Sequence, residues 1–388
     1  MAEGEFRQRG SSGGMASWLL CELLRTGTVD AVAHVRPVTG DGASPLLFSF
    51  AVSYTAEEVA RGAKSHYYPV EMSRVLEYVR EHPGRYAFVG VPCFIKALRL
   101  LARADAIFRE RIVICVGLFC GHLKSTAFAQ FLGWQCGVPP EKLAGIDFRK
   151  KLPERPASAY GVEVWDADGR CHSAVVGDLY GTDWGLGFFK YKACDYCDDV
   201  VGETADVSIG DAWLPQYVQD SRGTNIVVVR SKAIHDIVKD GMGRGALAFH
   251  RVSANTAADS QAGGFRHRRD GLAIRLHMVD RQRTWRPPKR VQAAASSDGR
   301  LKSIQKWRMR LAEQSHIAFR EAVRAGSFAV FCKRMDPLIR RYRKLYEPGA
   351  KQKLAQLMVC IGAAIALRTR LRSVFAFLRG CTWINGKA

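Results

Sequence analysis

Residues 1–14 contain no apolar core, only Glu3, Glu5, Arg7 and Arg9 among small and polar residues. A secretory signal peptide is therefore not expected there, and a cytoplasmic chain is. The apolar run over 354–367 stops at 14 residues, short of the roughly 20 that a bilayer-spanning helix needs. No internal repeat is visible, nor any zinc-finger, helix-turn-helix or aromatic strand motif of the kind that reads nucleic acid, so no nucleic-acid partner is expected. An odd count of eleven cysteines in 388 residues does not suit a disulfide-stapled scaffold and points to buried thiols, metal ligands or reactive groups.

The composition, 47% hydrophobic with 10% aromatics, excludes wholesale disorder and fibrous rods. The formal charge of +21 is unevenly placed: residues 266–388 hold 29 Lys/Arg against 7 Asp/Glu, and residues 1–265 hold 29 against 30. A neutral body thus carries a basic extension, so function must be read from the body's own chemistry.

A Ser11-Ser12-Gly13-Gly14 turn opens a predicted helix over 15–26, which feeds a strand over 30–35. Further strands are expected at 46–53, 86–91, 111–119, 205–210 and 225–230. Helices are expected at 55–62, 69–82, 95–104, 125–137 and 233–241, and a hairpin-rich insertion over 146–176. A polar stretch follows to Gly264. The runs at 86–91 and 111–119 are continuously apolar, as strands buried on both faces are. Each delivers a cysteine at its carboxyl end, Cys93 and Cys120, where open α/β sheets bind ligands.

Cys194 and Cys197 form a Cys-x-x-Cys pair, a spacing that turns two thiolates toward one centre. Alone it is ambiguous between half a zinc site, a redox dithiol and half an iron–sulfur site. Cys93 and Cys120 are the best candidates for two further ligands; the competing reading makes them buried small hydrophobes. A Cys₂His₂ set using His122 is a variant. A thioredoxin-like dithiol would open a helix after a strand, whereas Phe188–Lys192 precedes this pair. Cys115 and Cys136 lie inside apolar runs and read as core, and Cys21, Cys171, Cys332, Cys360 and Cys381 as structural.

Taken together, Ser11-Ser12-Gly13-Gly14, Lys64-Ser65-His66-Tyr67, Gly90-Val91-Pro92-Cys93, Leu118-Phe119-Cys120, Phe148-Arg149-Lys150-Lys151, and Cys194 to Cys197 followed by Ala205-Asp206-Val207-Ser208-Ile209-Gly210-Asp211-Ala212-Trp213 resemble the family of coenzyme F-420 hydrogenase and dehydrogenase beta subunits. The resemblance covers roughly residues 7–275. It implies a 4Fe-4S cluster on Cys93, Cys120, Cys194 and Cys197 and a flavin, FAD, held by Ser11, Ser12, Gly13, Gly14, Lys64 and Arg149. It further implies an α/β fold: a two-part mixed-sheet redox domain followed by a basic, all-helical C-terminal tail. The parts are 1–84, 85–283 with the cysteine cluster, a linker over 284–300, and the tail over 301–388.

The departures are specific. No closely spaced cysteines precede Ser11, so a separate redox partner, ferredoxin-like or a catalytic subunit, is expected. Phe94 stands where the family commonly has Gln, and His66 and Pro69 loosen the Ser-Lys-Tyr segment, which weighs against specificity for deazaflavin coenzyme F-420. The function expected is a flavin- and 4Fe-4S-dependent oxidoreductase, with surface-polysaccharide or lipid-linked glycan synthesis as the setting. The rivals are a zinc-stabilised interaction protein and an electron-transfer subunit without its own substrate. For the tail, one reading is an interfacial helix on an anionic membrane at the inner face, using 354–367, Phe375 and Phe377; the other is a helical subdomain packed on the body.

Overall fold

The computed structural model describes residues 2, 4–38 and 46–347. Nine strands form two sheets: β1 (Ala31–Pro37), β2 (Phe48–Ser53), β3 (Tyr86–Gly90), β4 (Ile112–Leu118), β5 (Leu143–Lys150), β6 (Gly161–Asp166), β7 (Cys171–Val175), β8 (Val207–Asp211) and β9 (Asn225–Val229). The larger sheet runs β2-β1-β3-β4-β8-β9. Its four inner strands are parallel, and the edge strands β2 and β9 pair antiparallel.

Side chains alternate across a strand, and β3 shows what this does to a wholly apolar run. Tyr86 and Phe88 pack with Val75, Val79, Ile95 and Leu98 from helices on one face. Ala87 and Val89 pack with Trp18, Leu19, Leu23 and Ile234 from the helices Met15–Arg25 and Lys232–Gly243 on the other. Helices on both faces leave the carboxyl edge of the parallel strands as the open rim. Residues 143–175 form the separate antiparallel sheet β5-β6-β7.

The helix expected over 95–104 begins at Pro92, because proline fits the first helical position without losing a hydrogen bond; Cys93 therefore sits in a first helical turn. The helix expected over 69–82 is shorter, Ser73–Glu81. The polar stretch to Gly264 hides helix Ala254–Asp259 and leads into Ala262–Arg268 and Asp270–Arg281. These were not legible as an amphipathic pattern because the last two bury Arg268 and Arg275 as well as apolar residues.

The basic extension is not one uninterrupted helix. Helix Gly299–Arg324 ends before Gly326, whose φ of +60° is left-handed, and Phe328–Lys344 follows. Helix Gly299–Arg324 packs on the body: Leu311, Ala318 and Phe319 are buried, and the Ser315 hydroxyl accepts from the Phe189 N–H at 2.9 Å. The segment before it is coil but anchored, with Ala294 N–H donating to Ala273 O at 3.1 Å. Residues 1–339 form one compact unit and 340–388 a second, of which 340–347 are described; there Tyr342 and Tyr346 meet edge-on at 5.2 Å. The run 354–367, Phe375 and Phe377, on which the membrane reading rests, and Cys360 and Cys381 lie outside the described residues. Among the described residues no helix is long and apolar enough to cross a membrane.

Candidate functional site

The four cysteines come together from three places in the chain. Cys93 follows β3, Cys120 follows β4, and Cys194 and Cys197 lie on and just after the 3₁₀ turn Lys192–Tyr196. That placement differs from a thioredoxin-like dithiol, which would open an α-helix. The Cys120 N–H donates to Val200 O at 3.1 Å, and Tyr191 N–H to Leu123 O at 3.3 Å, which ties the Cys-x-x-Cys loop to the end of β4. The Leu123 N–H points at Cys194 Sγ at 3.4 Å. Burial, with the fields of Cys197 and Cys194, raises the Cys93 thiol to about 11, although this residue keeps an exposed face. Burial, opposed by Arg268 and reinforced by Cys194, Cys93 and Cys197, raises Cys120 to about 12. Each thiol thus resists ionising unless something positive is placed among them.

The protein supplies part of that charge. Arg268 is buried and donates to Asp199 O and to Gly121 O, the latter at 2.6 Å; burial works against its charge, but Cys120 and Cys197 more than offset this. Arg275 is buried with its Nε on Asp195 O at 2.9 Å. Lys124 is buried, donates to Phe188 O at 2.7 Å and lies over the rings of Phe128 and Trp184; burial, with repulsion from Lys190, brings it down to about 7. None of the three forms an ion pair among the described residues. Lys190 does, with Asp195 between the cysteines. Buried cations without carboxylates are costly, and an anionic thiolate centre would satisfy them. Among the described residues no three His, Cys, Asp or Glu side chains close on a single metal ion.

The second part of the site surrounds Ser11–Gly14, beside the carboxyl end of β8. Gly14 opens helix Met15–Arg25 at φ +79°, and a Cβ there would lie 2.4 Å from the carbonyl carbon of Phe6. The Met15 N–H goes to Asn225 Oδ1 at 3.2 Å. The two glycines therefore have a packing reason: they let the loop press against Phe6 and Asn225. Ser11 Oγ accepts from the Ser65 N–H at 2.8 Å, which brings the Lys64–Tyr67 segment alongside.

Arg149 is buried beneath this loop. It pairs with Asp211 at 3.1 Å, donates to the Tyr67 hydroxyl at 3.2 Å and Ser11 O at 3.3 Å, and lies 4.2 Å over the Tyr160 ring. Burial disfavours its charge, but Tyr67, Asp211 and Tyr160 more than compensate and hold it above its ordinary value. Its Nε, like His66 Nε2 nearby in sequence, is buried without a partner. Lys64 pairs with Asp147 at 2.8 Å, and Lys151 donates to Ser12 O at 2.9 Å and to Arg7 O. Burial, then Lys64, Arg7 and Arg149, lower Lys151 to about 8. A cavity of about 850 Å³ is lined by Arg7, Lys64, Lys151 and Arg222 among others. Three carboxylates, Asp147, Asp211 and Asp220, serve Lys64, Arg149, Arg7 and Arg222, and Lys151 has only backbone oxygens. The excess positive charge and the orphaned donors suit a phosphate-bearing, polar-ringed ligand such as a flavin nucleotide.

Aromatic rings join the two parts. Tyr67 meets Trp184 edge-on at 5.0 Å, and Trp184 meets His122 at 4.7 Å, two residues after Cys120. His122 Nε2 is buried without a partner, and burial holds the ring neutral. Gly210, in the Gly-Asp-x-Trp stretch, has no room for a Cβ because Phe119 lies across it, and this packing seats the residue before Cys120. Sequence reasoning singled out Arg149, Lys64 and the four cysteines but missed Trp184, Lys124, Arg268 and Arg275. Lys151 and Asp211 lay in quoted motifs without being given roles.

These motifs, on an α/β sheet rimmed by four cysteines, define a family. The chain matches the coenzyme F420 hydrogenase/dehydrogenase beta subunit, by its N-terminal part over residues 1–77 and its C-terminal part over residues 84–255, and belongs to that family. It is 26% identical over 234 residues to one subunit of the F(420)H(2) dehydrogenase of Methanosarcina mazei, covering 59% of each chain. It is 29% identical over 260 residues to the beta subunit of the coenzyme F420 hydrogenase of Methanococcus voltae, covering 61% of this chain and 83% of that one. The match thus spans about three-fifths of the Methanosarcina mazei protein. A chain of the F420-reducing hydrogenase complex from Methanosarcina barkeri shares the fold, with a TM-score of 0.53 at 17% identity over 73% of this chain and 92% of that one.

Proposed function

We propose that this protein is a flavin- and iron–sulfur-dependent electron-transfer oxidoreductase, with a 4Fe-4S cluster on Cys93, Cys120, Cys194 and Cys197 and FAD held by Ser11, Lys64 and Arg149 together with Lys151. The observation that carries the reading is the convergence of four desolvated thiols with Arg268, Arg275 and Lys124, three buried cations with no carboxylate of their own. Such a flavin exchanges two electrons with a substrate and such a cluster passes them on singly. Within this reading Arg149 and Lys151 neutralise phosphate and the charge of a reduced ring. Gly13 and Gly14 hold the loop against Asn225 so that Ser11 O and Ser11 Oγ stay beside Arg149 and Ser65. Tyr67 and Trp184 exclude water from the space between the two groups. Electrons leave to, or arrive from, a separate redox protein.

The test is anaerobic reduction followed by electron paramagnetic resonance. The wild-type chain should give the spectrum of a reduced cubane cluster. Cys194→Ser and Cys120→Ser should each lose it while retaining the flavin absorbance. A wild-type chain that is silent, with one tightly bound zinc, would leave a zinc-stabilised interaction protein as the reading.

A further inference from the structure

Two exposed apolar side chains flank the turn that follows the Cys-x-x-Cys loop. Trp285 is 84% exposed and Leu100 is 56% exposed. On helix Pro92–Ala104, Cys93, Lys96, Leu100 and Arg103 recur at intervals of three and four and so share a face, and all four are exposed. The helix is fastened to the turn by Arg99, which donates to Thr204 O at 3.0 Å and pairs with Asp206.

Trp285 is fastened to the same turn from the other side. It follows the closed end of helix Asp270–Arg281, where Arg283 takes a left-handed φ of +54° and its N–H donates to Asp280 O at 3.0 Å. Five residues on, Arg290 pairs with Glu203 and reaches Asp198, next to Cys197, at 3.5 Å. The acids of this region are already engaged: Glu203 by Arg290 and Arg269, Asp198 by Arg290, Asp280 by Arg286, and Asp206 by Arg99. Lys96, Arg103, Arg281 and Arg283 stay exposed. Trp285 and its basic neighbours also lie beyond residue 255, where the family match ends.

We infer that Leu100 and Trp285, rimmed by Lys96, Arg103, Arg281 and Arg283, dock a small acidic protein carrying a one-electron centre, over the edge where Cys93 meets solvent. Aromatic anchors with a cationic rim give what such an encounter needs: a few apolar contacts, and a long-range field that steers an acidic partner. The inference rests on the electron-transfer reading above.

The probe is a reduced, acidic 2[4Fe-4S] ferredoxin mixed anaerobically with the full-length cofactor-loaded chain in a stopped-flow instrument, with dithionite as the small-molecule comparison. The second-order rate with ferredoxin should fall steeply with salt, and Trp285→Ala and Arg283→Glu should each lower it by about tenfold. Their rates with dithionite should be unchanged. Ferredoxin rates within about twofold of wild type, or equal losses with dithionite, would overturn the docking surface. So would variants that lose only their binding to phosphatidylglycerol vesicles, since a lipid surface would then be the occupant. If the chain carries no cluster, calorimetric titration with the same ferredoxin separates the two claims. Binding that Trp285→Ala abolishes supports the surface while the electron-transfer reading fails, and no binding defeats both.

Discussion

Asp195→Asn should destabilise the protein in a pH-dependent way that identifies the buried Lys190–Asp195 pair. The two side chains are 3% and 6% exposed, and the pair sits inside the Cys-x-x-Cys turn. Removing one partner of a buried pair costs about 3–5 kcal/mol, because the other charge is left uncompensated. Lys190 already lies below its usual range through burial, with Asp195 acting in the opposite direction; without Asp195 it falls further. In the unfolded chain it titrates near its free value of about 10.4. Between those two values the unfolded variant binds a proton that the folded variant lacks, so stability rises with pH by up to about 1.4 kcal/mol per unit. Urea unfolding of variant and wild type at pH 7 and pH 9 should show a deficit of about 3–5 kcal/mol that shrinks by up to about 2.7 kcal/mol. A deficit under about 1 kcal/mol at pH 7, or one that ignores pH, would refute the assignment. Replacing both residues, Lys190→Met with Asp195→Leu, should cost less than Asp195→Asn alone.

Two further outcomes test the flavin side. Gly14→Ala meets both a left-handed φ and the Phe6 backbone at 2.4 Å, so thermal unfolding should show a loss of roughly 2 kcal/mol or more and weakened flavin retention; Gly27→Ala, left-handed but with open space, should lose about 1 kcal/mol. With Lys151 at about 8, its charge is present below that pH and lost above it. Fluorescence titration should therefore show FAD affinity falling as pH rises through 8, flat behaviour in Lys151→Met, and no such step for phosphate-free riboflavin.

The parallel strands were legible because β3 and β4 are apolar without interruption, which only burial on both faces explains. The cysteines were legible because two end those strands and two share a turn spacing. The buried cations were not, since nothing local distinguishes Arg268 or Arg275 from the surface arginines around them; their place is set by carbonyls at Gly121, Asp199 and Asp195, far away in sequence. Trp184 was missed for the same reason, its neighbours Tyr67 and His122 coming from distant segments. The basic composition past residue 300 concealed a packed face, because Leu311, Ala318 and Phe319 are spaced along a helix whose other turns carry arginine and lysine.

The central claim is that four thiols and a cationic cleft hold two redox groups in one chain. It is tested most directly by anaerobic purification followed by quantitation of iron, sulfide, zinc and flavin. The account predicts about four irons, about four sulfides and one flavin per chain. One zinc with neither sulfide nor flavin would contradict it.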